Sequence, residues 1–270
     1  MYGRQIVLLV MVVCVSRLSV CGQTATQAVP PAAGPGGSQP ATQAAVSPQA
    51  KPLEVPTASA IAALRQKAAT GDLAAQNKLG EIYALGLGVP RDLPESAKWF
   101  RKAAEQGDVS AQLKLGVMYV GGFGVTNDVQ QGLFWFKKAA AQGSTDGMWQ
   151  LGSLYEYGWG VPKSGPEALN WYLKAAEKGN LNAELKVGGI FRNGLEDVPH
   201  DYEQALKWFR KAAQQGSGEA EFQIGRMYQE GLGVVASVDQ AADWYSKAVQ
   251  DNYPSAAISL RNLRRAHPSQ

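Results

Sequence analysis

Few residues of this chain could do chemistry, and their spacing is poor for it. The sequence has two histidines, His200 beside Asp201 and His267 near the terminus, so neither a metal-ligand cluster nor a Ser-His-Asp or Cys-His arrangement can be assembled around them. Both cysteines, Cys14 and Cys21, fall in an apolar leader, which leaves everything after it without a thiol or a disulfide. Gly86 to Val89, Gly-Leu-Gly-Val, could pass for a phosphate loop, but the Gly-Lys-Ser/Thr ending is missing and no strand precedes it. Glu81 and Glu156 stand far apart along the chain, too isolated for an acid-base pair. The expectation is a protein without catalysis, cofactor or metal that works by binding.

A binding surface needs elements to hold it, and here these are repeats. Leu79-Gly80 returns as Leu115-Gly116 and Leu151-Gly152, then as Val187-Gly188 and Ile224-Gly225, in steps of 36, 36, 36 and 37 residues. A period of this size belongs to stacked helix pairs rather than to one closed core. In the first helix of each unit the stripe is Ala75, Leu79, Ile82 and Tyr83, matched by Ala111, Leu115, Met118 and Tyr119. In the second it is Ser96, Trp99, Phe100, Ala103 and Ala104, the spacing of one buried helix face. Trp99 recurs as Trp135, Trp171, Trp208 and Trp244, and Phe100 as Phe136, Tyr172, Phe209 and Tyr245. Gly80 and its copies sit mid-helix, where glycine costs about 1 kcal/mol against alanine. Close approach of a neighbouring helix is the expected compensation.

The helix ends are equally regular. Before the second helix stand Asp92, Asp128, Ser164, Asp201 and Ser237, each followed three residues later by Glu or Gln, which is capping-box spacing in five copies of five. Before the first helix stand Asp72, Asp108, Ser144, Asn180 and Ser217, each preceded by glycine, the residue suited to a left-handed helix terminus. Asn252 takes the glycine column at the end of the last unit.

At these residues the chain resembles the Sel-1-like repeat (SLR) family, a relative of the tetratricopeptide repeats with a slightly longer unit. The signature runs LGEIYALGLGVPRDLPESAKWFRKAAEQG from Leu79 to Gly107, and the resemblance covers Thr57 to the C-terminus. It implies an all-α fold, a right-handed α/α superhelix of about five helix-turn-helix repeats that acts as an interaction scaffold, with the first helix of each pair on the concave side. Some cysteine-rich members of the family are linked to β-lactam binding or hydrolysis; this chain lacks their paired cysteines, which makes an enzyme of that kind the least favoured alternative.

The expected organisation is a signal peptide over 1–22, a disordered Pro/Ala/Gln/Thr-rich linker over 23–56 and a half-repeat helix over 57–71. Repeats follow over 72–107, 108–143, 144–179, 180–216 and 217–252, then a capping helix and tail over 253–270. Arg4 precedes an apolar run from Ile6 to Val15, the length of a signal-peptide core and too short to cross a bilayer of about 30 Å. Leu18-Ser19-Val20-Cys21 resembles a bacterial lipobox, making Cys21 the candidate lipidation site; ordinary cleavage after Gly22 or Ala25 is the alternative. The expected location is therefore the periplasm or cell envelope, or outside the cell. In the last segment Arg261 replaces the column glycine, and with Arg264 and Arg265 it makes a polar cap.

Charge excludes one class of partner. Setting aside Arg4, Arg17, Lys51 and Glu54 leaves 23 basic and 22 acidic residues, no footprint for a nucleic-acid binder. A protein or peptide partner is expected, with a cell-wall glycan or peptide as alternative. Its site should lie in first-helix columns that vary between copies: Glu81 and Leu85, Val117 and Val120, Ser153, Glu156 and Tyr157, Arg192, Arg226 and Gln229. The apolar grip is expected around Leu85, Val117, Val120 and Tyr157. The loop residues Leu87, Phe123, Trp159 and Leu232 form a second candidate edge, and the longer loop of the fourth unit should expose Glu196 and Asp197.

Overall fold

The computed structural model describes residues 55–267; the leader, Cys21 and most of the linker lie outside them. The chain divides into two units, Met1–Asp92 and Leu93–Gln270, each taken by itself below. Unit 1 holds α1 (Ala58–Ala69) packed on α2 (Leu73–Leu85). Unit 2 holds α3 (Leu93–Glu105), α4 (Val109–Gly121), α5 (Val129–Ala141), α6 (Thr145–Tyr157), α7 (Gly165–Glu177) and α8 (Leu181–Asn193). It continues with α9 (Tyr202–Gln214), α10 (Gly218–Glu230), α11 (Val238–Gln250) and α12 (Pro254–Ala266). Within unit 2 every helix packs on the next one in the chain. Among the described residues there is no strand, only an isolated bridge between Leu195 and Val198.

Side-chain oxygens start the helices as the sequence requires. Asp72, Asp108, Ser144, Asn180 and Ser217 accept from the backbone N–H three residues on, at 2.7, 2.7, 3.1, 2.9 and 3.2 Å. Asp128, Ser164, Asp201 and Ser237 do the same for second helices at 3.0 to 3.3 Å. The reciprocal half of the capping box is not what the spacing suggests. The N-cap N–H, which the box would give to Glu or Gln, goes to a carbonyl in the preceding first helix. Asp92, Asp128, Ser164, Asp201 and Ser237 donate to the carbonyls of Tyr83, Tyr119, Tyr155, Phe191 and Tyr228 at 2.6–3.0 Å. Each loop is thus sewn back onto the helix it leaves. At the other end of the second helices the chain turns left-handed, at φ 95 for Gly107 and φ 57 for Asn252, so asparagine does fill the glycine column of the last unit.

The mid-helix glycines of unit 2 have one physical cause. A Cβ placed on Gly116, Gly152, Gly188 or Gly225 would lie 2.5–2.7 Å from the ring of Phe136, Tyr172, Phe209 or Tyr245. Each ring comes from the second helix of the same repeat and packs against the bare backbone of the first. The rings are 0–2% exposed, so they have no room to withdraw. Between units the seam is made of small residues: Ala103, Ala139, Ala175, Ala212 and Ala248 are all fully buried, as are Ala111, Ala183, Ala220 and Ala256 across from them. Trp135 joins the cluster of Ala97, Phe100, Ala104, Leu115 and Met118, bringing α5 onto α3 and α4.

One column escaped the sequence reading. The lysine three residues after each second-helix indole of unit 2 folds over it, with Nζ 4.2–5.3 Å from the ring centres of Trp99, Trp135, Trp171, Trp208 and Trp244. The long loop of the fourth unit closes through Leu195 and Val198, which exchange backbone hydrogen bonds at 3.0 and 2.6 Å. Glu196 and Asp197 are exposed at its tip, as expected, and Glu196 pairs with Lys163 at 2.6 Å.

A single methyl tests the ring-on-glycine contact. Helix propensity alone says that Gly116→Ala stabilises by about 1 kcal/mol. The collision with Phe136 should reverse that sign and give a net loss of about 1–2 kcal/mol in urea unfolding; a raised midpoint would remove the contact from this account.

Candidate partner-binding face

The first helices present the variable columns, and the structure sorts the expected residues into three groups. In unit 1, Glu81 is half-buried with Lys78 Nζ at 3.8 Å, and Leu85 at the end of α2 is 52% exposed. In α4, Val117 is only 6% exposed, and Val120 reaches the space left by the absent side chain of Gly132, where a Cβ would sit 2.4 Å from Val120 Cγ2. The expected apolar grip is corrected at Val117, which is buried; Val120 is half-buried, with one methyl turned towards Gly132. Tyr157, 53% exposed, stacks on Trp159 with ring centres 4.8 Å apart. Of the other loop residues, Phe123 and Leu232 pack against buried clusters of unit 2.

The polar members in unit 2 gather around two tyrosines of the ring-on-glycine column. Tyr172 lies over Gly152 with its hydroxyl at the next turn of α6, where it donates to Glu156 Oε2 at 2.7 Å and lies 3.1 Å from Ser153 Oγ. Lys186 of α8 donates to Glu156 Oε1 at 2.7 Å, so both carboxylate oxygens are held. Burial, and then the Glu156 carboxylate, drive the Tyr172 hydroxyl far above the ordinary range, so it stays a donor. In the last repeat Tyr245 lies over Gly225 and donates to Gln229 Oε1 at 2.6 Å; burial pushes its pKa up to about 12. Next to it Arg192 donates to Gln223 Oε1 at 2.8 Å, while Arg226 donates to Glu230 Oε1 at 2.8 Å. Burial and the neighbouring Arg226 pull the Arg192 pKa down. Phenylalanine at Phe136 and Phe209 has no hydroxyl to give to the first helix beneath it.

Between α6, α8 and α10 the face opens into a cleft of about 570 Å³. Trp149 and Glu156 line it from α6, Asn182, Lys186, Gly189 and Asn193 from α8, and Glu219 from α10. Its cause is Gly189, which stands in the column of Glu81, Val117, Ser153 and Arg226. A Cβ there would meet nothing within 4 Å. Asn182, Asn193 and Glu219 are exposed around the opening. Gly189 and Asn193 stand in the variable first-helix columns, but nothing in the sequence signals that the missing side chain opens a cleft. Chemically the site is suited to holding: a flat indole, amides that both donate and accept, and an ion pair with its oxygens already engaged. Among the described residues no three of His, Cys, Asp and Glu gather to hold a metal, and His200 stacks against Tyr202.

The Sel1 repeat pattern matches residues 73–108, 109–144, 145–180, 181–217 and 218–253. The chain belongs to the Sel1 repeat family. It is similar to the Sel1 repeat protein of Oxalobacter formigenes, with 31% identity and a TM-score of 0.66 over 77% of this chain and 85% of that one. It is also similar to c5321, a protective antigen of uropathogenic Escherichia coli with an SLR fold, with 31% identity over 74% of this chain and 50% of that one, TM-score 0.49. The immunity protein Pa5087 of Pseudomonas aeruginosa matches with 22% identity over 78% of this chain and 80% of that one, TM-score 0.43. No curated protein matches the chain. The fold is thus an all-α Sel1 solenoid, a protein-interaction scaffold.

Tyr172→Phe separates the two tasks of this tyrosine. The ring stays over Gly152, but the half-buried Glu156 loses a donor, and stability should fall by about 1–3 kcal/mol in chemical denaturation. An unchanged midpoint would mean that water replaces the hydroxyl without loss.

Proposed function

We propose that this Sel1 scaffold is exported and binds a protein partner in the cell envelope or outside the cell, through the first-helix face of its third to fifth repeats. The observation that carries the reading is the cleft opened by Gly189: a Sel1 scaffold acts by holding another chain, and this cleft sets exposed amides beside a half-buried indole that leans on Tyr172. Export is supported by Arg4, the apolar run from Ile6 to Val15 and the Cys21 motif. With Cys21 acylated the scaffold would be tethered to a membrane; with ordinary cleavage it would be free. Binding rather than catalysis fits the engaged oxygens of Glu156. A second reading, a cell-wall glycan, is favoured by one contact, the Tyr157 and Trp159 stack, which offers sugar rings a flat aromatic platform.

Gly189→Arg sends a long side chain into the cleft from a point where its Cβ meets nothing within 4 Å. Capture of the envelope partner by purified protein should weaken at least about tenfold, or about 1.4 kcal/mol, with the thermal midpoint not lowered, since the change removes a mid-helix glycine. Undiminished capture would move the site elsewhere. Tyr157→Ala distinguishes the second reading, in which peptidoglycan pull-down is lost and protein capture persists.

A further inference from the structure

One buried polar column recurs near the start of the first helices, at Gln112, Glu184 and Glu221 in unit 2. In the second repeat Gln112 Nε2 donates to the Ala104 carbonyl at 3.2 Å, while its Oε1 accepts from Gln142 Nε2 at 2.9 Å. In the fourth, Glu184 accepts from Gln215 Nε2 at 2.8 Å. Both junctions set a donor against an acceptor. In the fifth repeat the same two positions carry Glu221, only 7% exposed, and Asp251 at the C-cap of α11. Two carboxylates can only accept, so this junction closes only when one of them holds a proton. The fit is close: a Cβ on Gly218, one turn before Glu221, would lie 3.1 Å from the Asp251 carbonyl oxygen and 3.2 Å from its Cβ. Glu221 Oε2 is buried without a partner.

We propose that the junction of α10 with α11 is a proton-operated latch, in which protonated Glu221 donates to the Asp251 carboxylate and loss of that proton loosens the last helices of the stack. Asp251 is exposed at the end of α11, whereas Glu221 is buried, where a charge costs most. The charged groups acting on Glu221 are Asp251 and Lys247, both from the end of α11, and Lys247 is also drawn 4.2 Å over the Trp244 ring. The buried side of α9 packed on α10 is apolar there, with Leu206, Phe209 and Ala212. Burial first, and Asp251 second, push Glu221 up to about 7, with Lys247 opposing. An unfolded glutamate titrates near 4.3. Between those two values the folded chain keeps a proton that the unfolded chain has released, so stability is highest at the acid end, falls as pH rises towards about 7 and levels off above it.

Hydrogen exchange of the whole protein at pH 5.5 and pH 8 reads this directly, with α4 to α7 as internal reference for the intrinsic change in rate. Protection of α10 to α12 relative to that reference should fall at least about fivefold on going to pH 8, a shift of about 1 kcal/mol. Glu221→Gln, which installs the amide that Gln112 already uses, should hold the ratio constant, and Asp251→Asn should flatten it too. A ratio that does not change with pH in the wild type, or a change that survives Glu221→Gln, overturns the latch.

Discussion

Everything in this molecule's second unit depends on an aromatic ring lying against a helix that has no side chain at the point of contact. Phe136, Tyr172, Phe209 and Tyr245 sit where a single Cβ would come within 2.7 Å of the ring, and their burial is complete or nearly so. The contact sets the distance and register of these four helix pairs, and it does so in the same way in each. A glycine that costs about 1 kcal/mol of helix propensity is thereby offset by the burial of most of an aromatic side chain, worth roughly 1.5–3 kcal/mol. The alanine seams then let one pair settle on the next with little more than a methyl group between backbones.

The same ring decides what the outer face of the first helices offers. Where it is tyrosine, the hydroxyl reaches the next turn and anchors a polar network, through Glu156 and Lys186 in one case and Gln229 in the other. Where it is phenylalanine, packing is all that is done. Packing and recognition are therefore divided by atoms of one side chain, ring for the core and oxygen for the surface. The cleft beside Gly189 lies between the network of Glu156 and α10, so one wall is held by the Glu156–Lys186 pair while Leu185 and the buried Ile190 supply apolar lining.

Much of this was legible in the residues. Period, helix ends and the asparagine closing the last unit are each dictated by a local backbone need, and such needs survive the passage from string to structure. The capping box was half right: oxygen at Asp128 or Ser237 does cap the helix, but the tyrosine carbonyl one helix back competes for the remaining N–H and takes it. Val117 and Val120 looked like free surface because their columns are polar in other copies; only the space beside Gly132 shows why Val120 turns inward. Gly189 shows the opposite failure. Its importance lies in what it leaves empty, and emptiness has no periodicity to detect.

The central claim is that columns used in packing hold the stack while the first-helix face of the later repeats is left for a partner. A photo-crosslinking residue placed at Asn182, on the rim of the cleft, and separately at the exposed Lys207 on α9 tests it in living cells. The account predicts a partner adduct from position 182 and none from position 207. Adducts from 207 with none from 182 would contradict it.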